Sequence, residues 1–173
     1  MSGEGEIKVL AVCLGNICRS RWCRIRCDLH WLTNDSQAMA EGVLKQIQQE
    51  NKLPVFVDSA GTAAYHEGEY ADDRTISTLA KHGIKMDSLA RKVRQSDFNE
   101  FDHILAMDGS NLSNLLRMAP KNCKADIRLF GEYGDGKAIQ DPYYGGQMGF
   151  TRTYEQCKSY GKAFFQSLGY TVN

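Results

Sequence analysis

Short apolar runs alternate with amphipathic stretches along this chain, which is the order of strands and helices in α/β proteins. The apolar runs cover residues 7–13, 55–59, 101–107 and 127–130, and each has the length of a buried strand. Strands that are separated by helices favour parallel pairing with right-handed crossovers. The pattern therefore predicts an α/β fold built on a parallel sheet with helices on both faces.

The intervening segments carry apolar residues at helical spacing. The first predicted helix, at 39–49, would bury four apolar side chains: Met39, Val43, Leu44 and Ile47. The second, at 72–82, would direct three side chains inward: Ile76, Leu79 and Ala80. Gly83 follows this helix as its predicted C-terminal cap. Two more helices are predicted at 111–118 and 152–168, and a polar, glycine-rich loop at 131–136.

The size and charge of the chain narrow the classes of function. Its 173 residues are enough for one domain with a sizeable core, so we expect residues 1–173 to form a single unit. Basic and acidic residues number 21 each, so no net field attracts nucleic acid or a membrane surface. The chain has neither a membrane-length apolar stretch nor a recognisable signal peptide, and its six cysteines are expected to be free thiols. A cytoplasmic location is the prediction.

The segment from Cys13 to Ser20 combines a nucleophile, a glycine, a guanidinium and a hydroxyl in an order that suits a phosphate. It follows a predicted strand, so it would turn over the carboxyl end of the sheet, where α/β proteins bind ligands. Backbone N–H groups of such a loop, and the start of the next helix, converge on an anion. Arg19 can hold two phosphate oxygens with its planar fork. The same positive surroundings lower a cysteine pKa from about 8.5 to roughly 3.5–7.5, which would activate Cys13.

A cysteine and an arginine at this spacing also occur by chance, and a buried structural cysteine at a strand end is the simpler interpretation. Three features favour the phosphate loop: the preceding apolar strand, the internal Gly15 and the Ser20 hydroxyl. That hydroxyl can donate a hydrogen bond to the thiolate.

Attack of a thiolate on a phosphate ester requires a general acid for the leaving oxygen. Asp141 is the candidate, because Pro142 stiffens the backbone beside it and two tyrosines follow. Tyr143 and Tyr144 would supply aromatic walls for a substrate. Taken alone, this run is typical of a turn, so its functional interpretation depends on Cys13.

Several motifs resemble, in order, those of the low-molecular-weight protein tyrosine phosphatases. Besides the loop from Cys13 to Ser20, they are Asp58-Ser-Ala, His82-Gly-Ile, Ala90-Arg, Asp97-Phe, Met107-Asp-Gly-Ser-Asn and Asp141-Pro-Tyr-Tyr-Gly. The resemblance implies a four-stranded parallel sheet with a phosphate-binding loop after the first strand. It also implies a protein tyrosine phosphatase, or acid phosphatase, that forms a cysteinyl-phosphate intermediate. Its expected substrates are phosphotyrosine proteins and small aryl phosphates, and we expect a monomer or weak dimer.

The resemblance also implies roles for individual residues. Cys13 corresponds to the nucleophile, Arg19 to the phosphate clamp and Asp141 to the general acid. Cys18 resembles a second thiol that can trap an oxidised nucleophile as a reversible disulfide. The positions that would brace the loop or bind substrate are Leu14, Gly15, Asn16, Ile17, Cys18, Ser20, Tyr65, Tyr143 and Tyr144.

Two departures from the family pattern stand out. The family often has a histidine just before its Ala-Arg pair, where this chain has Ser88. The family also continues from the loop serine into a helix reading Ser-Pro-x-Ala-Glu, whereas residues 21–37 intervene here before Ala38. This insert interrupts the junction between the anion loop and the helix that should lie under it. We therefore expect a fold that is retained but less stable, with impaired activity.

The insert is compatible with a retained short intron. Suppose that Arg21 is encoded CGT, that the Gln37 codon ends in A and that the Ala38 codon begins with GC. The stretch that starts with the GT of the Arg21 codon and ends with the AG across the Gln37 and Ala38 codons then begins and ends as introns do. Its removal keeps the reading frame. The product would have a proline directly after Ser20, as in the family. An insertion evolved for a function and a tolerated surface loop are the alternatives.

Two other functions stay open. An arsenate reductase of the same fold would need a relay of cysteines after the third strand, where only Cys123 occurs. A non-catalytic phosphate-binding isoform would keep the loop but lose turnover because of the insert. The cysteines of the insert, Cys23 and Cys27, lack the spacing of a zinc site, so neither a metal nor a cofactor is expected.

Overall fold

The computed structural model describes residues 5–13, 35–62, 67–68, 70–139, 142 and 146–173, with the backbone alone at Asp35 and Gln147. Within these residues, four strands form one parallel sheet in the order β2-β1-β3-β4. The strands are β1 (Ile7–Cys13), β2 (Val55–Gly61), β3 (His103–Ala106) and β4 (Asp126–Leu129). The helices are α1 (Asp35–Glu50), α2 (Asp73–Lys81), α3 (Asp97–Glu100), α4 (Gly109–Met118) and α5 (Gly146–Ser167).

The central strand β1 is buried on both faces of the sheet. Val9, Ala11 and Cys13 belong to the core that α1 and α5 complete. Leu10 and Val12 belong to a second core, which is completed by residues of β3, α3 and α4. Helices therefore cover both faces, and the predicted four-stranded parallel α/β fold is confirmed.

Helix α1 buries the four predicted apolar side chains, whereas the prediction for α2 was partly wrong. Leu79 of α2 is buried, Ile76 is half-buried, and Ala80 is exposed. The buried face of α2 passes through Thr75 and Thr78 instead, because the main neighbours of α2 are the helices α1 and α5. Its C-terminal cap was correct: Gly83 has a φ of +75° and follows the last turn of the helix.

Helix α5 begins at Gly146, six residues before the predicted start. A Cβ at Gly161 would lie 2.9 Å from Ile47 Cδ1 and 3.1 Å from Leu44 Cδ2, so this glycine permits the close packing of α5 on α1. Tyr154, Cys157 and Phe164 of α5 are buried. In the part of the chain that the structure describes, no helix has the length and apolarity to span a bilayer.

Candidate active site

Cys13 ends the central strand at the carboxyl edge of the sheet. The chain leaves β1 for β2 on one side and reaches β3 on the other side of β1. Such a reversal of strand order leaves a crevice at the carboxyl edge, where α/β proteins bind ligands. Cys13 is only 7% exposed. Its carbonyl accepts a hydrogen bond from the Thr62 N–H over 3.1 Å, just beyond the end of β2.

Two backbone hydrogen bonds bring the segment that precedes Asp141 to the same edge. The Met107 N–H donates to the Val12 carbonyl over 3.0 Å, and the Ile139 N–H donates to the Met107 carbonyl over 2.8 Å. Ile139 is also buried in the core that contains Cys13. Ile139, the last described residue before position 141, is thus joined through Met107 to Val12 of β1.

The first turn of α1, which contains the last residues of the insert, borders Cys13. Ser36 and Gln37, the last residues of the insert, are buried within this helix. The Gln37 Oε1 atom accepts a hydrogen bond from the Cys13 N–H over 3.4 Å. The positive end of α1 therefore lies at the end of β1, the place from which a helix can stabilise an anion. The first turn of α1 thus lies beside Cys13.

A buried carboxylate behind this junction ties three segments together. Glu41 of α1 is fully buried. Its Oε2 accepts from the Ser59 hydroxyl over 2.5 Å, and its Oε1 accepts from the Ser88 hydroxyl and the Lys45 Nζ, each over 2.5 Å. Lys45 supplies the opposite charge that a buried carboxylate requires. Ser88, where the family often has a histidine, thus links its segment to α1 and β2.

Arg91 forms a second polar cluster at the end of β2. Its guanidinium lies 2.9 Å from Asp58 Oδ2 and 2.9 Å from Asp97 Oδ2. Burial opposes the charge on Arg91, but the bonds to Asp97 and the charge of Asp58 outweigh it and raise the arginine pKa. The Arg91 carbonyl also accepts from the Gly61 N–H over 2.8 Å, and Gly61 pairs with Cys13. Three of the motifs noted in the sequence therefore meet here in a structural role.

Sequence reasoning missed the Glu41 and Arg91 clusters, although Glu41 left a signal. Glu41 lies within the run from Ala38 to Leu44, where the residues around it are small or apolar. A lysine follows it four residues later, at the spacing of an ion pair on a helix. A charge on the buried face of a helix, with a partner at this spacing, predicts a buried ion pair.

Apart from Cys13, the predicted site residues lie outside the described residues. They are Leu14, Gly15, Asn16, Ile17, Cys18, Arg19, Ser20, Tyr65, Asp141, Tyr143 and Tyr144. Their proposed roles therefore remain predictions.

The other described cysteines differ from Cys13 in position. Cys157 is buried within α5, where burial raises the pKa of its thiol well above the usual range. Cys123 is half-buried just before β4, and therefore lies at the amino edge of the sheet, opposite to Cys13. Over the described ranges, no group of three or more His, Cys, Asp or Glu residues could hold a metal ion.

Comparison with known proteins decides the family. The model of the family "Low molecular weight phosphotyrosine protein phosphatase" matches residues 36–173, most of the chain. The chain belongs to this family. The match begins at Ser36, near the end of the insert, and includes both polar clusters described above. The protein is thus an enzyme of the low molecular weight phosphotyrosine phosphatase type.

Individual relatives agree with this assignment over almost the full length. The low molecular weight phosphotyrosine protein phosphatase of Schizosaccharomyces pombe is 42% identical over 169 residues, covering 94% of this chain and 97% of the relative. The human protein of the same name is 38% identical over 172 residues, covering 96% and 98%. A crystal structure of a Drosophila arginine phosphatase has a TM-score of 0.78 and 33% identity, covering 95% of this chain and 99% of that chain.

Proposed function

We propose that this phosphatase hydrolyses phosphotyrosine and small aryl phosphates through a cysteinyl-phosphate intermediate, with Cys13 as the nucleophile. The observation that carries the proposal is the place of Cys13, at the carboxyl end of the central strand and beside the first turn of α1. A thiolate at this position is favoured by the positive end of the helix. Arg19 would hold the phosphate oxygens from the loop that follows.

The reaction has two steps. The Cys13 thiolate attacks phosphorus, the S–P bond forms, and the bond from phosphorus to the aryl oxygen breaks. Asp141 donates a proton to that oxygen, so that a neutral phenol leaves. Water then attacks the phosphorus and gives its proton to the Asp141 carboxylate. The S–P bond breaks, inorganic phosphate is released, and the thiolate is restored.

Replacement of the nucleophile tests this proposal. Cys13→Ser should abolish turnover of an aryl phosphate, because a serine hydroxyl in this environment stays protonated. Binding of inorganic phosphate, measured by calorimetry, should remain detectable. Cys123→Ser is the matched control, because Cys123 lies at the opposite edge of the sheet and this variant should keep its activity. A Cys13→Ser enzyme that retained most of its activity would overturn the thiolate mechanism.

The role of Asp141 has its own test, through the leaving group. Asp141→Ala should slow hydrolysis by roughly 10²–10⁴-fold for esters of weakly acidic phenols. The loss should be smallest for esters of acidic phenols, since these leave without a proton. A loss that is equal across leaving groups would assign Asp141 a structural role instead.

The substrate class can be tested in the same assay, because one related structure is an arginine phosphatase. We expect phosphotyrosine peptides to be hydrolysed faster than phosphoarginine peptides, since Tyr143 and Tyr144 would form the walls of an aryl cleft. Faster hydrolysis of phosphoarginine would contradict this preference. The arsenate reductase alternative has less support, because Cys123 lies at the edge of the sheet away from Cys13.

We also propose that Cys18 protects the nucleophile from irreversible oxidation. A thiolate of low pKa is the preferred target of peroxide, and a second thiol in the same loop can capture the oxidised sulfur. Peroxide should inactivate the enzyme reversibly, and peptide mapping should find a disulfide between Cys13 and Cys18. Pairing of Cys13 with Cys23 or Cys27 would show that the insert has redirected this protection.

A further inference from the structure

The loop from Gly131 to Ile139, here called the 131–139 loop, lies between β4 and the proposed acid Asp141. It starts within a 3-10 turn at Phe130–Tyr133 and folds tightly on itself. The Gly131 carbonyl accepts hydrogen bonds from the N–H groups of Gly134 and Gly136, each over 2.9 Å. A Cβ at Gly131 would lie 1.9 Å from the Lys137 carbonyl oxygen, so only glycine permits this approach.

Tyr160 of α5 holds the middle of the 131–139 loop. Its ring is buried and packs edge-on against Phe130, with 5.8 Å between ring centroids. A Cβ at Gly134 would lie 2.1 Å from the Tyr160 ring, so the loop backbone rests directly on the tyrosine. The Tyr160 hydroxyl donates a hydrogen bond to Asp135 Oδ1. Lys137 Nζ lies 2.9 Å from Asp135 Oδ2 on the solvent side.

The hydrogen bond between Tyr160 and Asp135 keeps its donor and acceptor over a wide pH range. The bond from Tyr160, together with Lys137, lowers the pKa of Asp135 to about 2. Burial and the bond to Asp135 raise the pKa of Tyr160 to about 12. The phenol thus stays protonated and the carboxylate ionised at any pH at which phosphatase activity is measured.

Both sides of Asp141 are anchored by described residues. Before it, Ile139 is hydrogen-bonded to Met107 at the end of β3. After it, Pro142 is buried, and its carbonyl oxygen would lie 2.4 Å from a Cβ at Gly149 of α5. The same helix therefore holds the chain beyond Asp141 through Gly149 and the chain before it through Tyr160.

We propose that Tyr160 and Asp135 are positioning residues, which hold the 131–139 loop so that Asp141 reaches the leaving oxygen of the substrate. This inference rests on the proposed function, in which Asp141 is the general acid. Neither side chain needs to touch the substrate. They act by fixing the path of the backbone from the loop to the carboxyl edge of the sheet.

The dependence of the rate on the leaving group distinguishes a positioning role from a general effect on stability. Tyr160→Phe keeps the ring on Gly134 and Phe130 and removes the hydroxyl alone. We expect kcat/KM for phenyl phosphate to fall roughly 10-fold, because small misplacements of a catalytic group have large effects on rate. The fall for 4-nitrophenyl phosphate should be clearly smaller, since its phenol needs less help from an acid. Asp135→Ala should act in the same way, whereas Asp135→Asn should recover activity, because its amide oxygen can still accept from Tyr160.

Two further variants control the experiment. Tyr133→Phe removes a hydroxyl from the same 3-10 turn without touching the pair, and should leave the ratio between the two substrates unchanged. Asp141→Ala is measured alongside and reports on the acid itself. If Asp141→Ala changes the ratio but Tyr160→Phe and Asp135→Ala do not, the positioning role is wrong and the general acid stands. If Asp141→Ala leaves the ratio unchanged, the general acid itself is wrong, whatever the other variants show. Equal losses for both substrates in Tyr160→Phe, with a lower Tm, would assign the pair to stability alone.

Discussion

Helices α1 and α5 each follow a segment of the proposed site, but the structure holds them in different ways. The chain before α1 carries residues 21–34 of the insert, and α1 is held by its buried face and by the carboxylate of Glu41. The chain before α5 follows the family pattern, and α5 holds that chain through Tyr160 and Gly149. In both cases the described contacts that hold the helix come from its own packed face.

Approximate energies agree with this comparison. The four apolar side chains on the buried face of α1 each contribute about 1.5–3 kcal/mol on burial. Lengthening a loop costs only about 0.6 kcal/mol for each doubling of its length. From these figures we expect packing to outweigh the cost of the longer connection and to hold α1 beside Cys13. The proposed anion loop would not gain from this packing, since its N–H groups would depend on the local path of the chain.

The largest effect is expected from removing the insert. Replacement of residues 21–38 by one proline should raise kcat/KM for an aryl phosphate on the order of 10²-fold, since a displacement of about 1 Å at a catalytic site can cost that much. The Tm should rise as well. A second variant that lacks residues 21–34 but keeps Gln37 would show whether the contact of Gln37 with Cys13 matters. Equal activity and equal Tm with and without the insert would make it a tolerated loop.

A smaller effect is expected from removing the Glu41 carboxylate, which holds α1. Glu41→Ala leaves the Ser59 and Ser88 hydroxyls without their shared acceptor, and should lower the free energy of unfolding by about 2 kcal/mol. Urea unfolding measures this change. Glu155→Ala on the exposed face of α5 is the control, and should change it by less than about 0.5 kcal/mol. Similar losses in both variants would mean that Glu41 does not secure the helix.

The smallest effect is expected from the charge of Asp135, beside α5, on the pH dependence of stability. The pKa of Asp135 falls from 3.8 to about 2 in the folded protein, so the unfolded chain binds the proton more tightly. The contribution of Asp135 to stability is then present above pH 4 and is lost as the pH falls towards 2. Urea midpoints between pH 2 and pH 5 should fall less steeply with acid in Asp135→Asn than in the unchanged protein. Identical slopes would mean that the ionised carboxylate of Asp135 does not contribute to stability.

The sequence predicted what depends on local pattern and missed what depends on contacts between distant residues. Short apolar runs identified the four strands, and Gly83 marked the end of α2 correctly. The inward side of α2 was wrong at Ala80, because the neighbours of this helix are other helices.

The candidate site shows the same division. Cys13 was placed correctly at a strand end, since an apolar strand precedes it in the sequence. The link from Ile139 to Met107 joins two backbone groups, and no side-chain pattern records it. The pairing of Tyr160 with Asp135 depends on how α5 lies against a loop that precedes it by many residues. Such contacts follow from the tertiary fold and have no periodic signal.

Trapping of the phosphorylated enzyme tests the central claim most directly. The protein is mixed with a phosphotyrosine peptide, quenched in acid within milliseconds, digested and mapped by mass spectrometry. We expect one phosphoryl group on the peptide that contains Cys13, carried by its sulfur, and none in Cys13→Ser. The variant without the insert should give the same phosphopeptide at a higher level. A phosphoryl group on any other residue would contradict Cys13 as the nucleophile. So would turnover without a trapped intermediate in the proteins with and without the insert.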